Sequence, residues 1–306
     1  MNSPSGTPTP QPSERPGRLA VGVVGAGRVG SVLGAALALA GHRVVAGSGV
    51  SAASRQRATE LLPGVPLLDP REVVDRADLV LLAVPDDALP GLVAGLAEVG
   101  ALRPGQLVAH TSGRYGIGVL EKATAAGGLP LALHPVMTFT GGQVDVARLA
   151  GCSFGVTAPD PLRPVAEALV IEMGGEPVWV PEEQRLLYHA ALANAANHLV
   201  TLITQSMDLL RRAGVEDPSR MLGPLVGAAL DNALRHGDSA LTGPVARGDA
   251  GTVAAHLEAI AAVSGEALPA YIALARLTAD RALAAGLLDP SAAEALLDVL
   301  AANVRT

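Results

Sequence analysis

Short apolar runs alternate with segments of helical periodicity between Leu19 and about Val180. Helix-like segments such as 28–40, 86–99, 116–126 and 161–173 lie between those runs. Continuous apolar strands that alternate with helices predict an α/β fold, a Rossmann-type doubly wound parallel sheet with both faces covered. The seven predicted strands have the sequences LAVGVVG, RVVAGS, ADLVLLAVP, QLVAHTS, LPLALHPV, SFGVTA and EPVWV.

The pattern changes after Pro181, because no convincing strand follows it. Two Asp-Pro-Ser triplets, at 217–219 and 289–291, are typical of helix starts with proline in the first turn. We therefore predict a disordered, Pro- and Ser-rich tail at 1–17, a sheet domain at 18–181 and an all-α domain at 182–306 that binds substrate and forms a dimer. The predicted helices of this last domain are 183–213, 218–236, 250–262, 264–286 and 289–303.

Composition narrows the possible functions of the chain. The 306 residues have a net charge of -7, which argues against a nucleic-acid partner. Apolar runs are broken by Gly, Pro or charge, so no membrane span is expected, and the N-terminus has no hydrophobic signal region. With Cys152 as the single cysteine, no intrachain disulfide forms. These features favour a cytoplasmic protein, and no cluster of metal-ligating residues stands out at ligand spacing.

A glycine-rich turn follows the first predicted strand and opens a helix. In the sequence GAGRVG, Gly25 permits the tight turn, Gly27 lets the backbone approach a pyrophosphate, and Gly30 lets the helix pack on the strand. Arg28 and Val29 lie inside the same turn. The pattern predicts that this turn binds a dinucleotide.

The end of the second strand favours NADP (NADPH) over NAD. A site for NAD usually places an acid there, whereas this chain has GSGVSAASRQR and no acid before Glu60. Hydroxyl and guanidinium groups suit a 2′-phosphate, and Ser48 and Arg55 are the candidates. Val84 and Pro85, at the end of the third predicted strand, are also expected to border the cofactor.

Two further strand ends have polar side chains at the same predicted edge of the sheet. Ser112 follows the fourth strand in HTSG, and His134 ends the fifth in HPV. Because the carboxyl ends of parallel strands form the ligand-binding edge, Ser112 is a candidate substrate ligand and His134 a candidate catalytic residue. A buried structural role for His134 is the alternative.

Five segments of the chain together resemble a known family. They are the glycine turn, HTSGRYGIGVL, LPLALHPVMTFTG, NAANHLVTL and ALTGPVARGD, in this order. The chain is similar to bacterial Rossmann-like proteins with a C-terminal helical domain of unknown function, which are related to pyrroline-5-carboxylate reductase, prephenate dehydrogenase and 6-phosphogluconate-type dehydrogenases. The resemblance implies a nicotinamide-dependent oxidoreductase and a homodimer. The lysine that typical β-hydroxyacid dehydrogenases use is missing, because Lys122 is the only lysine.

A neutral polar stripe follows one side of the long helix predicted at 183–213. At 100° per residue, Asn194, Asn197 and His198 fall on one arc with Thr201, and the segment 186–207 has no charged residue. Such a face suits a semi-buried cleft, a subunit interface or, least well, plain surface. In a cleft, His198 and Asn197 would be catalytic with His134, and Asn194 would bind substrate.

The loop ALTGPVARGD, residues 240–249, offers a second group of substrate ligands. Thr242 precedes a fixed Gly-Pro turn, and Arg247 could hold a substrate carboxylate with two parallel hydrogen bonds. Asp249 either holds that arginine or caps the next helix. The leading hypothesis is an NADP-dependent oxidoreductase that transfers hydride from NADPH to a small oxo- or imino-carboxylate, with a lysine-free ketopantoate-type 2-oxo acid reductase as one candidate. The alternative is a non-catalytic NADP(H)-binding or sensor protein.

Overall fold

All seven predicted strands form in the computed structural model, which describes residues 17–302. The predicted tail, residues 1–17, lies outside the described residues except for Gly17. Each strand coincides with one of the apolar runs. The strands are β1 (Ala20–Val24), β2 (Arg43–Ser48), β3 (Leu79–Leu82), β4 (Leu107–His110), β5 (Leu129–Pro135), β6 (Ser153–Thr157) and β7 (Glu176–Trp179).

The strands form one sheet in the order β2-β1-β3-β4-β5-β6-β7. The prediction of a wholly parallel sheet needs one correction, because β6 runs antiparallel to β5. Pro135 at the end of β5 pairs with Phe154 near the start of β6. The link between the two strands therefore begins and ends at the same edge of the sheet, so the chain makes no crossover there. The remaining pairs are parallel, which confirms the Rossmann-type α/β fold.

Thirteen α-helices form within residues 17–302, among them those predicted from the sequence. Four of them, α2, α3, α6 and α10, were not among the predicted segments. No helix of the described chain is long and apolar enough to cross a membrane. The helices are α1 (Arg28–Leu39), α2 (Ala52–Leu61), α3 (Pro70–Asp75), α4 (Leu89–Glu98), α5 (Glu121–Ala125), α6 (Gln143–Arg148), α7 (Arg163–Glu172), α8 (Arg185–Arg212), α9 (Pro218–His236), α10 (Gly243–Ala246), α11 (Ala250–Val263), α12 (Ala267–Ala284) and α13 (Pro290–Ala302).

The chain divides into two compact units. Unit 1 extends to Ala193 and unit 2 begins at Asn194, so the first two turns of α8 belong to the sheet unit. In unit 1, one apolar layer packs the sheet against α1, α2 and α7, and a second packs it against α3, α4 and α5. In unit 2, the core lies among α10, α11, α12 and α13.

Candidate functional site

The glycine turn between β1 and α1 has the backbone geometry that its sequence predicts. Gly25 has a φ of 92°, and a Cβ there would lie 2.6 Å from the Ala83 carbonyl oxygen. At Gly30, a Cβ would overlap the Gly25 carbonyl oxygen. A Cβ at Gly27 would meet no atom within 4 Å, so the backbone is bare on that side. Two glycines are thus required for packing, whereas the third leaves open space.

That open space lies at the start of a twelve-residue helix. Gly27 is the N-cap of α1, and no side chain caps the free N–H groups of its first turn. β1 and β3 are neighbours in the sheet, while β2 lies on the other side of β1, so the strand order reverses here. Free N–H groups and the positive end of the helix dipole form a site for an anion at this reversal.

The end of β2 supports the glycine turn. Ser48 is buried, and its hydroxyl accepts a hydrogen bond of 3.2 Å from the Gly25 N–H. The Arg55 guanidinium donates to the carbonyl oxygen of Val50 at 2.7 Å. The Ser48 side chain therefore has a structural partner, and Arg55 is held beside the loop that follows β2.

Two more arginines meet at Gly141, in the loop between β5 and α6. A Cβ at Gly141 would lie 2.7 Å from Arg57 Nε and 3.0 Å from Arg28 Cγ. Arg28 begins α1, and Arg57 lies in α2, two residues after Arg55. Both α1 and α2 thus contribute an arginine side chain that packs against this loop.

Asp145 fixes the loop against which these arginines pack. Its carboxylate is fully buried and accepts hydrogen bonds from Gly141 N, Thr140 N and Thr140 Oγ1. Burial raises the Asp145 pKa, but the hydrogen bonds from Gly141 and Thr140 outweigh it, so that the pKa is lowered overall. The Oδ1 atom makes no hydrogen bond, and Arg148 Nη1 lies 3.6 Å from it. A buried carboxylate thus holds the loop backbone in place.

His134 meets a tyrosine that the sequence analysis did not select. His134 Nδ1 lies 2.8 Å from the Tyr188 hydroxyl, and the two rings meet edge to face. The His189 ring also meets the His134 ring edge to face, with ring centroids 5.9 Å apart. A Cβ at Gly113 would lie 2.9 Å from His134 Nε2, so this backbone passes close to that edge of the imidazole.

The His134 imidazole is neutral at neutral pH. Burial is the largest cause, and the nearby positive charge of Arg185 adds to it; together they lower the pKa of His134 to about 4. Burial likewise raises the pKa of Tyr188, while the Arg185 guanidinium, 5.6 Å from the Tyr188 ring centroid, opposes that rise. A neutral imidazole and a protonated phenol therefore share one hydrogen bond.

Arg185 connects this pair to the loop after β4. Its side chain is buried and donates three hydrogen bonds, each to a backbone carbonyl oxygen. The acceptors are Tyr115 O at 2.8 Å, Gly155 O at 3.0 Å and Ser112 O at 3.1 Å. The first turn of α8 is thereby joined to both the 112–116 loop and β6.

Three other groups fasten the same loop. Glu182 accepts from the backbone N–H groups of Ile117 and Gly118. His110 is buried, with Nε2 2.8 Å from the Gly116 carbonyl oxygen, and burial lowers its pKa to about 4. The Ser112 hydroxyl accepts from Tyr115 N at 3.3 Å, so the side chain proposed as a substrate ligand is engaged within its own loop.

The structure brings several of the residues selected from sequence into unit 1. Val84 lies against Gly25, Pro85 is exposed next to it, and Val29 packs on the core. Sequence analysis missed Tyr188, Arg185 and Asp145 as site-forming residues. For Arg185 and Tyr188 a signal existed: they lie three residues apart at the start of a segment with no other charge. Asp145 gave no signal, because its role depends on burial.

The remaining selected residues belong to unit 2. Asn194, Asn197 and His198 are exposed, and His198 Nδ1 lies 2.8 Å from Asn194 Oδ1 one helical turn away. Thr201 Oγ1 donates to the Asn197 carbonyl oxygen. Some polar groups of the neutral stripe therefore have their hydrogen-bond partners within α8 itself. The catalytic and substrate-binding roles assigned to the stripe stay predictions.

The ALTGPVARGD loop contains the short helix α10. Thr242 is its N-cap residue and is exposed, as is Arg247 at its end. Asp249 caps α11, because its carboxylate accepts from Thr252 N and Thr252 Oγ1. Helix capping is thus the role of Asp249, while substrate binding by Thr242 and Arg247 stays a prediction. Among residues 17–302, no three His, Cys, Asp or Glu side chains form a group that could hold a metal ion.

Solved structures with the same fold include several oxidoreductases. A protein from Bacteroides fragilis, provisionally named an NADP oxidoreductase, is 22% identical with a TM-score of 0.72, over 86% of this chain and 98% of that one. An imine reductase from Pseudomonas sp. is 18% identical with a TM-score of 0.58, over 92% and 93%. A pyrroline-5-carboxylate reductase from Coxiella burnetii is 15% identical with a TM-score of 0.54, over 94% and 98%. At these identities the likeness shows the fold alone.

Family models match both halves of the chain, whereas the comparison with curated proteins finds no match. Residues 5–135 match the Rossmann-like domain, and residues 152–278 match the domain of unknown function DUF2520. This confirms the resemblance stated from the sequence motifs. The chain is therefore a Rossmann-like protein with a C-terminal DUF2520 domain.

Proposed function

We propose that this protein is an NADP-dependent reductase that transfers hydride from NADPH to a small oxo- or imino-carboxylate. The observation that carries the proposal is the bare backbone at Gly27, at the uncapped start of α1 and beside the reversal of strand order. A pyrophosphate fits this position, because it needs close backbone approach and free N–H groups. Names of proteins with the same fold, an imine reductase and a pyrroline-5-carboxylate reductase, agree with a reductase.

The arginines around the glycine turn favour NADP over NAD. Arg28, Arg55 and Arg57 approach the loops on both sides of the turn, and their positive charge suits a 2′-phosphate. No carboxylate lies at the end of β2 where NAD sites place one; Glu60 follows within α2 and accepts from Gln56. Gly49, Val50 and Ser51 fill that position instead.

Tyr188 and His134 are the groups we assign to proton delivery. Bound NADPH supplies the hydride to the C=O or C=N carbon, and the oxygen or nitrogen then needs a proton. With a pKa of about 4, His134 is not an imidazolium at neutral pH, so we assign the proton to the Tyr188 hydroxyl. The Arg185 guanidinium then stabilises the phenolate, and His134 returns a proton from solvent.

The candidate substrate ligands that the sequence selected in unit 2 also stay part of the proposal. Arg247 is the candidate for a substrate carboxylate, and Asn194, Asn197 and Thr242 for the neighbouring polar atoms. His198 is kept as the alternative proton donor. Ser112 positions the loop beneath His134, because its oxygen atoms are already bonded to Tyr115 and Arg185.

Cofactor binding is tested with Gly27→Ala, which has no neighbour to clash with. We expect unchanged thermal stability and an NADPH dissociation constant raised at least about tenfold, measured by the fluorescence of NADPH on titration. Arg57→Ala should weaken NADPH binding but leave NADH binding unchanged. Equal affinity of wild type and Gly27→Ala for NADPH would refute the site.

Catalysis is tested by the oxidation of NADPH with a panel of oxo acids and cyclic imines. Tyr188→Phe should lower kcat at least about 100-fold and leave the NADPH dissociation constant as in wild type. Tyr271→Phe is the matched control, because the Tyr271 hydroxyl lies 2.9 Å from His256 Nδ1 in the same edge-to-face arrangement within unit 2. Tight NADPH binding with no turnover on any substrate would instead identify the non-catalytic NADP(H)-binding protein.

A further inference from the structure

Helix α9 has almost no packing partner within its own chain. Its only substantial contact among the described elements is with the 3-10 turn that follows it, Gly237–Ala240. Yet Met221, Leu225, Leu230 and Leu234 are exposed, Leu225 to 64% and Leu234 to 79%. At 100° per residue, Met221 and Leu225 lie on one side of the helix, and Leu230 and Leu234 on the opposite side. The helix is thus apolar on two opposite sides and bare on both.

The intrinsic helix propensity of α9 is too low to hold it without packing. Its nineteen residues include an interior proline, Pro224, with glycines at 223 and 227 on either side of it. Interior proline costs about 3 kcal/mol and each glycine about 1 kcal/mol relative to alanine. Most of the stability of helices in proteins comes from tertiary packing and not from intrinsic propensity. Packing against another surface must therefore stabilise α9.

A groove that is apolar, like the exposed sides of α9, lies in the same unit between α8 and α12. A cavity of about 260 Å³ is lined mainly by apolar side chains, among them Leu202, Leu209 and Leu274. A second cavity of about 380 Å³ shares Leu209 and continues along α8 past Thr204 and Thr201. Unfilled space therefore follows α8 over several turns, and the part of it between α8 and α12 is mainly apolar.

We infer that α9 of a second copy of this chain occupies the groove between α8 and α12, and that the exchange is reciprocal. A dimer with two-fold symmetry accounts for both the bare helix and the unfilled groove, because each chain contributes one of each. No repulsion between like charges opposes this contact, because α9 has no charged residue from Met221 to Leu230 and α8 has none from Leu186 to Met207. The exposed neutral stripe of α8 then lies at the rim of this interface.

The surface involved is large enough for a stable dimer. The side wall of a nineteen-residue helix, about 28 Å long and about 10 Å wide, amounts to roughly 900 Å². A groove covers about half of that wall, so the two exchanged helices and their two grooves together bury about 1,800 Å², which is the size of a standard stable interface. Bare glycines at 223 and 227, each with no atom within 4 Å of a Cβ position, permit close approach of the partner helix.

The first test measures oligomeric state by sedimentation velocity. Wild type should sediment as a dimer, and Leu225→Glu with Leu234→Glu should raise the dimer dissociation constant by about 100-fold or more, since two charges would enter an apolar groove. Leu39→Glu is the matched control: Leu39 is 76% exposed at the end of α1 in unit 1. A monomeric wild type, or a double variant as tightly dimeric as the Leu39 control, would overturn the inference.

The second test separates helix exchange from other dimers and does not depend on a destabilising change. In a Cys152→Ser background, Leu230→Cys on α9 and Leu274→Cys on α12 are joined with a bifunctional maleimide. Helix exchange predicts covalent dimers from the doubly substituted chain and none from either single cysteine. A product of monomer mass would show that α9 covers the groove of its own chain, and the inference would fail. Neither test depends on cofactor or substrate.

Discussion

Unit 1 and unit 2 differ in how completely a single chain buries them. In unit 1 both faces of the sheet are covered, and buried charged groups such as Arg185 and Asp145 have backbone partners. In unit 2 the core extends over α10 to α13, while α9 remains bare on two opposite sides. The first unit is thus stabilised by contacts within one chain, whereas the second has a core and a separate surface that requires a partner.

The difference has a thermodynamic consequence. Stability that comes from contacts within a chain does not depend on protein concentration, whereas stability that comes from a second copy increases with concentration by mass action. Substitutions in unit 1 should therefore act equally in dilute and concentrated protein. The following predictions are ordered by the size of the expected effect.

Gly30→Ala should have the largest effect on unit 1. A Cβ there overlaps the Gly25 carbonyl oxygen, which is backbone and cannot move aside without distorting the glycine turn. We expect about 4 kcal/mol or more of lost unfolding free energy, measured by urea denaturation. Gly27→Ala is the control, because its Cβ enters open space. Similar losses for both variants would mean that steric overlap does not set the requirement for glycine.

Arg185→Leu should cost about 3 kcal/mol, because three buried backbone carbonyl groups lose their donor. The same denaturation experiment should give the same loss at low and high protein concentration. A loss that shrinks as the protein concentration rises would contradict the assignment of Arg185 to contacts within a chain.

His110 should make unit 1 sensitive to acid. Its pKa of about 4 lies below the ordinary value of 6.5, so the unfolded chain binds a proton in this window and the folded chain does not. The free energy of unfolding therefore falls as the pH drops from about 6.5 to about 4, by roughly 3 kcal/mol from this group, with no further loss at lower pH. In His110→Gln this part of the slope should vanish in urea denaturation at a series of pH values. An unchanged slope would assign the acid sensitivity in this window to another buried histidine, His134, whose pKa is also lowered to about 4.

Arg211→Ala in unit 2 should have the smallest effect. Arg211 Nη1 lies 2.6 Å from Asp208 Oδ1, but both side chains are more than half exposed. Exposed pairs of this kind contribute under about 0.5 kcal/mol, so the thermal midpoint should stay within error of wild type. A large loss would show that the C-terminal end of α8 is covered in the assembled protein.

The sequence predicted most of the fold, because strands and long helices follow from local patterns. Seven apolar runs became seven strands, and the glycine turn has the geometry that its spacing implies. The reversal of β6 was not predictable, since an apolar run of five residues has the same pattern in either direction. The direction of β6 is set by the segment before it, which brings the chain back into the sheet at the edge where β5 ends.

The candidate site was predicted less completely. Gly25, Gly27 and His134 were selected from motifs, but Tyr188 was not, because its partner is 54 residues away in sequence. Ser48 and Ser112 were selected as ligands for their hydroxyls, yet each hydroxyl has a backbone partner that only the folded loops provide. Whether a polar group is free for a ligand depends on which donors lie around it.

The amino-acid order alone determined the glycine turn, the strand and helix periods and the division into a sheet part and a helical part, since these depend on residues close together in the chain. Only the tertiary structure decided which polar side chains are buried, and which of these buried side chains carry a charge. Arg185 without a carboxylate, Asp145 with three donors and His134 with a pKa of about 4 all result from distant residues that remove water and replace its hydrogen bonds.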